Sequence, residues 1–201
     1  TGVQQSIACG SANQYTVTIT DDDFNYSINN TMPTVTLLSE NFGITTGSNQ
    51  VPAGWTTSNA AGTSTTNKWV GNNTGAGTYG FSGNTLHISN GNSTAVTNGT
   101  AAMAYSSTAT GTDARAVTPL LNAAGLKDIS VSLKLVSNGE IDSGTFYDFG
   151  LVYYTLNGTN YSVLTVLNND VYLQGITSST TLNINLPAGT IGTSNLRLMF
   201  R

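Results

Sequence analysis

The clearest pattern along the chain is an alternation of apolar and polar residues over short runs. It occupies residues 129–136, 181–186 and 196–200, where an apolar side chain recurs at every second position. Successive side chains of an extended strand point to opposite faces, so this period places one face in a core and the other in solvent. The alternation therefore predicts antiparallel strands of the kind that form a sandwich.

A longer segment, residues 147–167, predicts a β-hairpin. Asn157 and Gly158 supply the positive φ angles that a two-residue type I′ turn requires. The alternating positions on the two sides of the turn predict the facing strands: Phe149, Leu151 and Tyr153 before it, and Tyr161, Val163 and Thr165 after it. This is the strongest hairpin signal in the chain.

Helical patterns are nearly absent. No apolar stripe is sustained at helical spacing, and the best candidate, Leu120–Leu126, is too short to matter. The Gly-, Ser-, Thr- and Asn-rich residues 43–112 predict short strands near 67–71, 85–89 and 101–106, joined by long loops. The predicted fold class is therefore all-β, an antiparallel β-sandwich with long loops.

Composition narrows the functional classes. Charged residues make up only 8% of the chain, against about 25% in an average soluble domain. The net charge is -4 with six Lys and Arg residues in total, so no basic patch for nucleic acid or an anionic membrane is expected. No apolar run approaches the length of a membrane span. Cys9 is the single cysteine, which excludes an internal disulfide and argues against a zinc site.

The pattern divides the chain into two parts. Residues 1–33 predict one strand, near 14–20, and a linker that belong to an upstream domain, unless that strand pairs with the main sheet. Residues 34–201 predict the sandwich. The chain ends inside an apparent strand, which predicts a truncated domain, a processing site at Arg201, or a sheet completed by a partner's strand.

Several short motifs occur in a characteristic order from Leu37 onward. They are Ser39-Glu40-Asn41-Phe42, Val51-Pro52-Ala53-Gly54-Trp55, Lys68-Trp69, Ala116-Val117-Thr118-Pro119-Leu120, and the hairpin with Asp148. Over about 165 residues this order resembles the MAM-like jelly-roll domains of secreted Bacteroidetes proteins, the cleaved-adhesin or choice-of-anchor group. That family usually closes with a further Asp-bearing strand, which this sequence lacks. The resemblance implies secretion, a jelly-roll sandwich and an adhesive or carbohydrate-binding role.

A second resemblance covers only about 20 residues. Tyr15-Thr16-Val17-Thr18-Ile19-Thr20-Asp21-Asp22-Asp23 is similar to the last strand of a Calx-β domain. Together the two resemblances imply a large multidomain surface protein.

Carboxylates give the candidate metal ligands. The adjacent Asp21, Asp22 and Asp23 repel one another unless a cation or solvent relieves them, and Ca²⁺ takes six to eight oxygen ligands. The alternative is a solvated acidic turn. Glu40, at the start of the first predicted sandwich strand, and Asp148, at the start of the hairpin, are the second candidate calcium ligands, or else ordinary surface carboxylates. Asp113 is expected to form a turn, or else to join the site of Glu40 and Asp148.

The sequence contains few residues that could act in catalysis. His87 is the single histidine, it alternates with apolar neighbours, and we expect it to face solvent. No serine lies in a nucleophile-elbow motif. Gly75–Gly80 matches G-x-G-x-x-G, but neither a following helix nor an acidic residue about 20 positions later is present, so a chance match is expected. No catalytic residue is predicted.

Aromatic side chains give the candidate ligand contacts, namely Trp55, Trp69, Tyr79 and Tyr105 in the long-loop part. Exposed rings there would form a platform on which sugars stack. The alternative is burial as core anchors, which we favour for the two tryptophans, whereas Tyr79 and Tyr105 are the better exposed candidates.

These observations favour a non-catalytic adhesion or carbohydrate-binding module of a secreted or cell-surface bacterial protein, stiffened by structural calcium. Its partners would be a glycan or a surface protein, together with neighbouring domains of the same parent chain. Two alternatives remain open. One is a structural spacer or filament subunit completed by a partner strand, and the other is an ancillary domain of a secreted hydrolase.

Overall fold

The computed structural model describes residues 34–43, 51–91, 103–106, 111–126, 128–166 and 170–201. Residues 1–33, with the predicted strand near 14–20, Cys9 and the Asp21–Asp23 run, lie outside the described part. Leu37–Arg201 forms one compact unit.

The described part is all-β, which confirms the predicted fold class, and its strands pair antiparallel. The strands are β1 (Thr56–Asn59), β2 (Lys68–Asn72), β3 (Thr85–Ser89), β4 (Ala114–Val117), β5 (Ser130–Ser137), β6 (Ile141–Asp142), β7 (Thr145–Phe146), β8 (Gly150–Thr155), β9 (Tyr161–Val163), β10 (Tyr172–Leu173), β11 (Ile176–Asn185) and β12 (Arg197–Phe200). Two short 3₁₀ turns occur at Ala76–Tyr79 and Ala188–Thr190. No helix in these ranges is long and apolar enough to cross a lipid bilayer.

Six strands form the largest sheet. Its order is β1-β4-β12-β8-β10, and β9 pairs with β8 on the same side as β10. The predicted strand at 196–200 is therefore not an unfinished edge, because β12 pairs with β4 on one side and with β8 on the other. Arg201 extends this pairing through two backbone hydrogen bonds with Leu151. A partner strand has no free edge at β12.

A hydrophobic core joins this sheet to the β5–β11 pair. From the six-stranded sheet it takes the inward side chains Val152 and Leu198, and from the β5–β11 pair it takes Val131, Leu133, Leu182 and Ile184. Ile129 and Leu135 also pack against it. The alternation that predicted β5 and β11 is thus confirmed, since their apolar positions are those that face the core. The finer jelly-roll connectivity stays a prediction.

The predicted two-residue turn at Asn157-Gly158 is wrong. Thr155 pairs with Tyr161, so five residues, 156–160, connect β8 to β9, and only Gly158 has a positive φ, 78°. The side chain of Asn157 closes the loop, because its Oδ1 accepts hydrogen bonds from the backbone N–H groups of Thr159 (3.0 Å) and Asn160 (2.9 Å). Asparagine makes such bonds to its own loop readily, and here they replace the tighter turn.

Two of the three strands predicted within residues 43–112 are present. The segments near 67–71 and 85–89 form the antiparallel pair β2–β3. Within the third segment, residues 103–106 form no strand, although Ala104 exchanges backbone hydrogen bonds with Ile88 and Asn90 beside β3. Glu40 also lies outside any strand, because residues 34–43 are irregular.

Candidate functional site

Three aromatic rings from separate segments meet at one end of β8. Phe149 directly precedes β8, and its ring meets that of Tyr172 edge-on, with centroids 4.7 Å apart. The ring centroid of Phe146, at the end of β7, lies 5.6 Å from that of Tyr172. Phe149 and Tyr172 are 40% and 37% exposed, which is high for large apolar rings in mutual contact. We call Phe146, Phe149 and Tyr172 the aromatic platform.

Strand pairing determines which way the platform faces. Tyr172 pairs with Leu151 in the β8–β10 ladder, and Phe149 lies two positions before Leu151. Side chains two apart on a strand, and paired side chains across strands, share a face. Both rings therefore lie on the outer face of the six-stranded sheet, opposite the face to which Val152 and Tyr154 contribute core contacts.

The backbone behind the platform is tied together by one amide side chain. Gln174 follows β10, and its Nε2 donates a 2.6 Å hydrogen bond to the carbonyl oxygen of Asp148. Its Oε1 accepts a 2.9 Å bond from the N–H of Gly139. Gly139 and Asp148 approach so closely that a Cβ at position 139 would collide with the Asp148 backbone. These contacts hold in place the segment that carries Phe149.

A tyrosine–carboxylate pair lies next to the platform in the chain. The Tyr105 hydroxyl donates a short hydrogen bond to Oδ1 of Asp148. Partial burial, this bond and the negative charges of Asp148 and Glu140 raise the pKa of Tyr105 to about 12, since each disfavours the phenolate. Tyr105 remains 45% exposed, in agreement with its prediction as an exposed ring.

The predicted calcium ligands Glu40 and Asp148 make separate local contacts. Oε1 of Glu40 accepts a 2.8 Å hydrogen bond from the N–H of Phe42, whereas Asp148 binds Tyr105. Within the described ranges, no three His, Cys, Asp or Glu side chains group closely enough to hold a metal ion. Calcium binding at Glu40 and Asp148 stays a prediction. The calcium prediction for Asp21, Asp22 and Asp23 concerns residues outside the described part.

Asp113 forms ion pairs rather than only a turn. Its two carboxylate oxygens accept hydrogen bonds from Nε (3.1 Å) and Nη2 (2.7 Å) of Arg115, and Nε of Arg201 lies 2.7 Å from its Oδ1. The hydrogen bonds from Arg115 lower the pKa of Asp113 most. The hydrogen bond and the positive charge of Arg201 lower it further, and together these effects outweigh the partial burial of the carboxyl. Arg201 also donates to the hydroxyl of Tyr153 at 3.1 Å.

The other three rings predicted to contact a ligand, those of Trp55, Trp69 and Tyr79, differ in burial. Trp55 is buried, as favoured from the sequence, and it packs between Phe42 (5.4 Å) and Phe200 (6.0 Å). Trp69, in β2, and Tyr79, in the 3₁₀ turn, are half-buried. The indole N–H of each tryptophan is buried and has no hydrogen-bond partner among the described residues. Trp55 therefore acts as a core anchor and does not belong to an exposed platform.

The prediction that His87 faces solvent is wrong. It is 4% exposed, because it shares the buried face of β3 with Thr85 and Ser89. The apolar neighbours Leu86 and Ile88 are only half-buried, so polarity does not mark the inner face of this strand. The ring lies 3.0 Å from the hydroxyl of Thr85, which meets part of its hydrogen-bonding need inside the protein.

The G-x-G-x-x-G match has a local structural explanation. Gly75 and Gly80 adopt left-handed conformations, with φ of 85° and 83°, at the two ends of the 3₁₀ turn. Gly80 is followed by an irregular segment and then β3, not by the helix that a dinucleotide site requires.

Sequence reasoning did not single out the aromatic platform. Phe149 was identified only as a strand position, and Phe146 and Tyr172 lie in two-residue strands that alternation cannot reveal.

Comparison with protein-family models, with curated protein sequences and with solved structures found no match to this chain.

Proposed function

We propose that this chain is a non-catalytic carbohydrate-binding or adhesive module of a secreted, multidomain surface protein. The observation that carries the proposal is the aromatic platform on the outer face of the six-stranded sheet. Large apolar rings that remain exposed in contact with one another indicate a surface kept for a partner.

The chemistry of the platform suits a sugar. The C–H faces of a pyranose are apolar and pack against aromatic rings, while its hydroxyl groups need polar neighbours. The phenol of Tyr172 belongs to the platform, and Asp148 is adjacent in sequence to Phe149. Because Gln174 holds the backbone behind the rings, little freedom would be lost when a ligand binds.

Other features support the same proposal. A surface rich in Thr, Ser, Asn and Gly with few charges is typical of extracellular β-proteins, and the resemblance to the MAM-like group favours a jelly-roll adhesin. The single histidine of the chain, His87, is 4% exposed, which favours binding over catalysis. A calcium ion at Asp21–Asp23 remains part of the proposal.

Substitution of the platform tests the proposal. On a glycan array, we expect the intact chain to bind a subset of sugars, and Tyr172→Ala or Phe149→Ala to reduce affinity for them at least about tenfold, the effect of losing roughly 1.4 kcal/mol of contact energy. Ile191→Ala removes a similarly exposed apolar side chain, 39% exposed and outside the platform, and should leave binding unchanged. Equal binding by the intact chain and both platform variants would contradict the proposal.

A further inference from the structure

All three arginines of this acidic chain lie on the outer face of the six-stranded sheet. Arg197 and Met199 of β12, and Arg201 directly after it, occupy alternate positions and therefore share one face. Met199 pairs with Val117 of β4, and Arg115, two positions before Val117, contacts the same Asp113 as Arg201. This face also carries Phe149 and Tyr172 of the aromatic platform.

The three arginines differ in how their charges are neutralised. Arg115 and Arg201 share the carboxylate of Asp113. Arg197 forms no ion pair with any residue of the described ranges, and its Nη1 donates a 3.2 Å hydrogen bond to the carbonyl oxygen of Thr118. A guanidinium has five N–H donors in a fixed planar fork. The bond to Thr118 orients the fork and leaves donors for an external anion.

Arg197 lines an open groove of about 500 Å³. Asn157, Asn195, Tyr161, Val117 and Leu120 also line the groove. Its volume falls in the range of about 300–1,000 Å³ that is common for small-ligand sites. The groove therefore places a guanidinium that has no ion pair within the described ranges beside two asparagines and beside Leu120, which is 53% exposed.

We propose that the groove at Arg197 binds the carboxylate or sulfate group of an acidic sugar unit. Both anions match the guanidinium fork in shape and charge. The inference rests on the proposed glycan-binding function and assigns a class of ligand to it. The ligand is a glycan with an acidic unit in the groove and neutral units on the platform.

The geometry of β8 connects the two places. Arg197 pairs with Thr155, which lies six residues from Phe149 and on the same face. At about 3.3 Å per residue, the groove and the platform lie roughly 20 Å apart along the strand, a distance that an oligosaccharide spans. Glu140, Asp142 and Asp148 lie near the platform in the chain, so acidic sugar units are disfavoured at that end.

Arginine NMR signals test the groove independently of the platform. The three Nε–Hε resonances would be assigned with Arg115→Lys, Arg197→Lys and Arg201→Lys, and then followed during titration with free galacturonic acid, galactose 6-sulfate and galactose. We expect one or both acids to shift the Arg197 signal in a saturable way, with galactose having no effect. A silent Arg197 signal, or equal shifts of all three signals, would overturn the proposal. The two acids distinguish carboxylate from sulfate recognition.

Variant affinities separate this inference from the function on which it rests. With an oligosaccharide that carries one uronate, Arg197→Gln should weaken binding at least about tenfold, and Arg197→Lys should weaken it less. Lys134→Gln removes an exposed positive charge on β5 and should leave the affinity unchanged. Retained neutral-glycan binding with no effect of Arg197→Gln would overturn the anion site alone. If Tyr172→Ala binds neutral glycans as tightly as the intact chain does, the proposed function of the platform is overturned instead.

Discussion

At the scale of single residues, Tyr105 is the group whose titration reports on the site. Its raised pKa arises from partial burial and from the bond to Asp148, and both effects disappear when the chain unfolds. Because the folded pKa of about 12 exceeds the ordinary tyrosine value of 10.0, the favourable contribution of Tyr105 to folding is complete below pH 10. It is lost as the pH rises through about 12.

We therefore expect one tyrosine to ionise about two pH units later than a free phenol. The measurement is the absorbance of phenolate near 295 nm, recorded as the difference between the intact chain and Tyr105→Phe. Asp148→Asn should return this titration toward pH 10, since it removes the acceptor charge. A difference titration centred at pH 10 in the folded intact chain would show that the Tyr105–Asp148 bond is not formed.

At the scale of elements, the junction that carries the platform depends on a glycine. Gly139 has no room for a Cβ against the backbone of Asp148, so Gly139→Ala must displace one of the two segments. We expect a loss of about 1–3 kcal/mol in the free energy of unfolding, measured with urea, because overpacking against backbone cannot be relieved by a rotamer change. Gly83→Ala is the control, since a Cβ there meets nothing within 4 Å. Similar midpoints for both variants would contradict the close approach.

The elements that the sequence predicted well are those in which burial alone decides the pattern. Val131, Leu133 and Leu135 of β5 and Leu182 and Ile184 of β11 pack against the core, so apolar residues recur there at every second position. The buried face of β3 was predicted wrongly, because the polar residues Thr85, His87 and Ser89 occupy it. The platform could not be predicted, since it depends on the pairing of Tyr172 with Leu151, and two-residue strands leave no periodic trace.

At the scale of the whole molecule, Asp113 connects three strands of the large sheet. It precedes β4, it pairs with Arg201 directly after β12, and Arg201 in turn reaches Tyr153 of β8. Because the carboxyl of Asp113 is 11% exposed while the two arginines are 38% and 40% exposed, we expect Asp113→Asn to cost only about 1 kcal/mol at pH 7.

The pH dependence of that cost tests the network. The folded pKa of Asp113 lies below the ordinary aspartate value of 3.8, so its stabilising contribution is present above that value and is lost as the pH falls through the folded pKa. The stability difference between the intact chain and Asp113→Asn, measured by urea unfolding, should therefore persist from pH 7 to about pH 5 and shrink in stronger acid. Asp142→Asn, at an exposed carboxylate, is the matched control. A difference that stays constant down to pH 2 would mean that packing at position 113, and not its charge, holds these strands together.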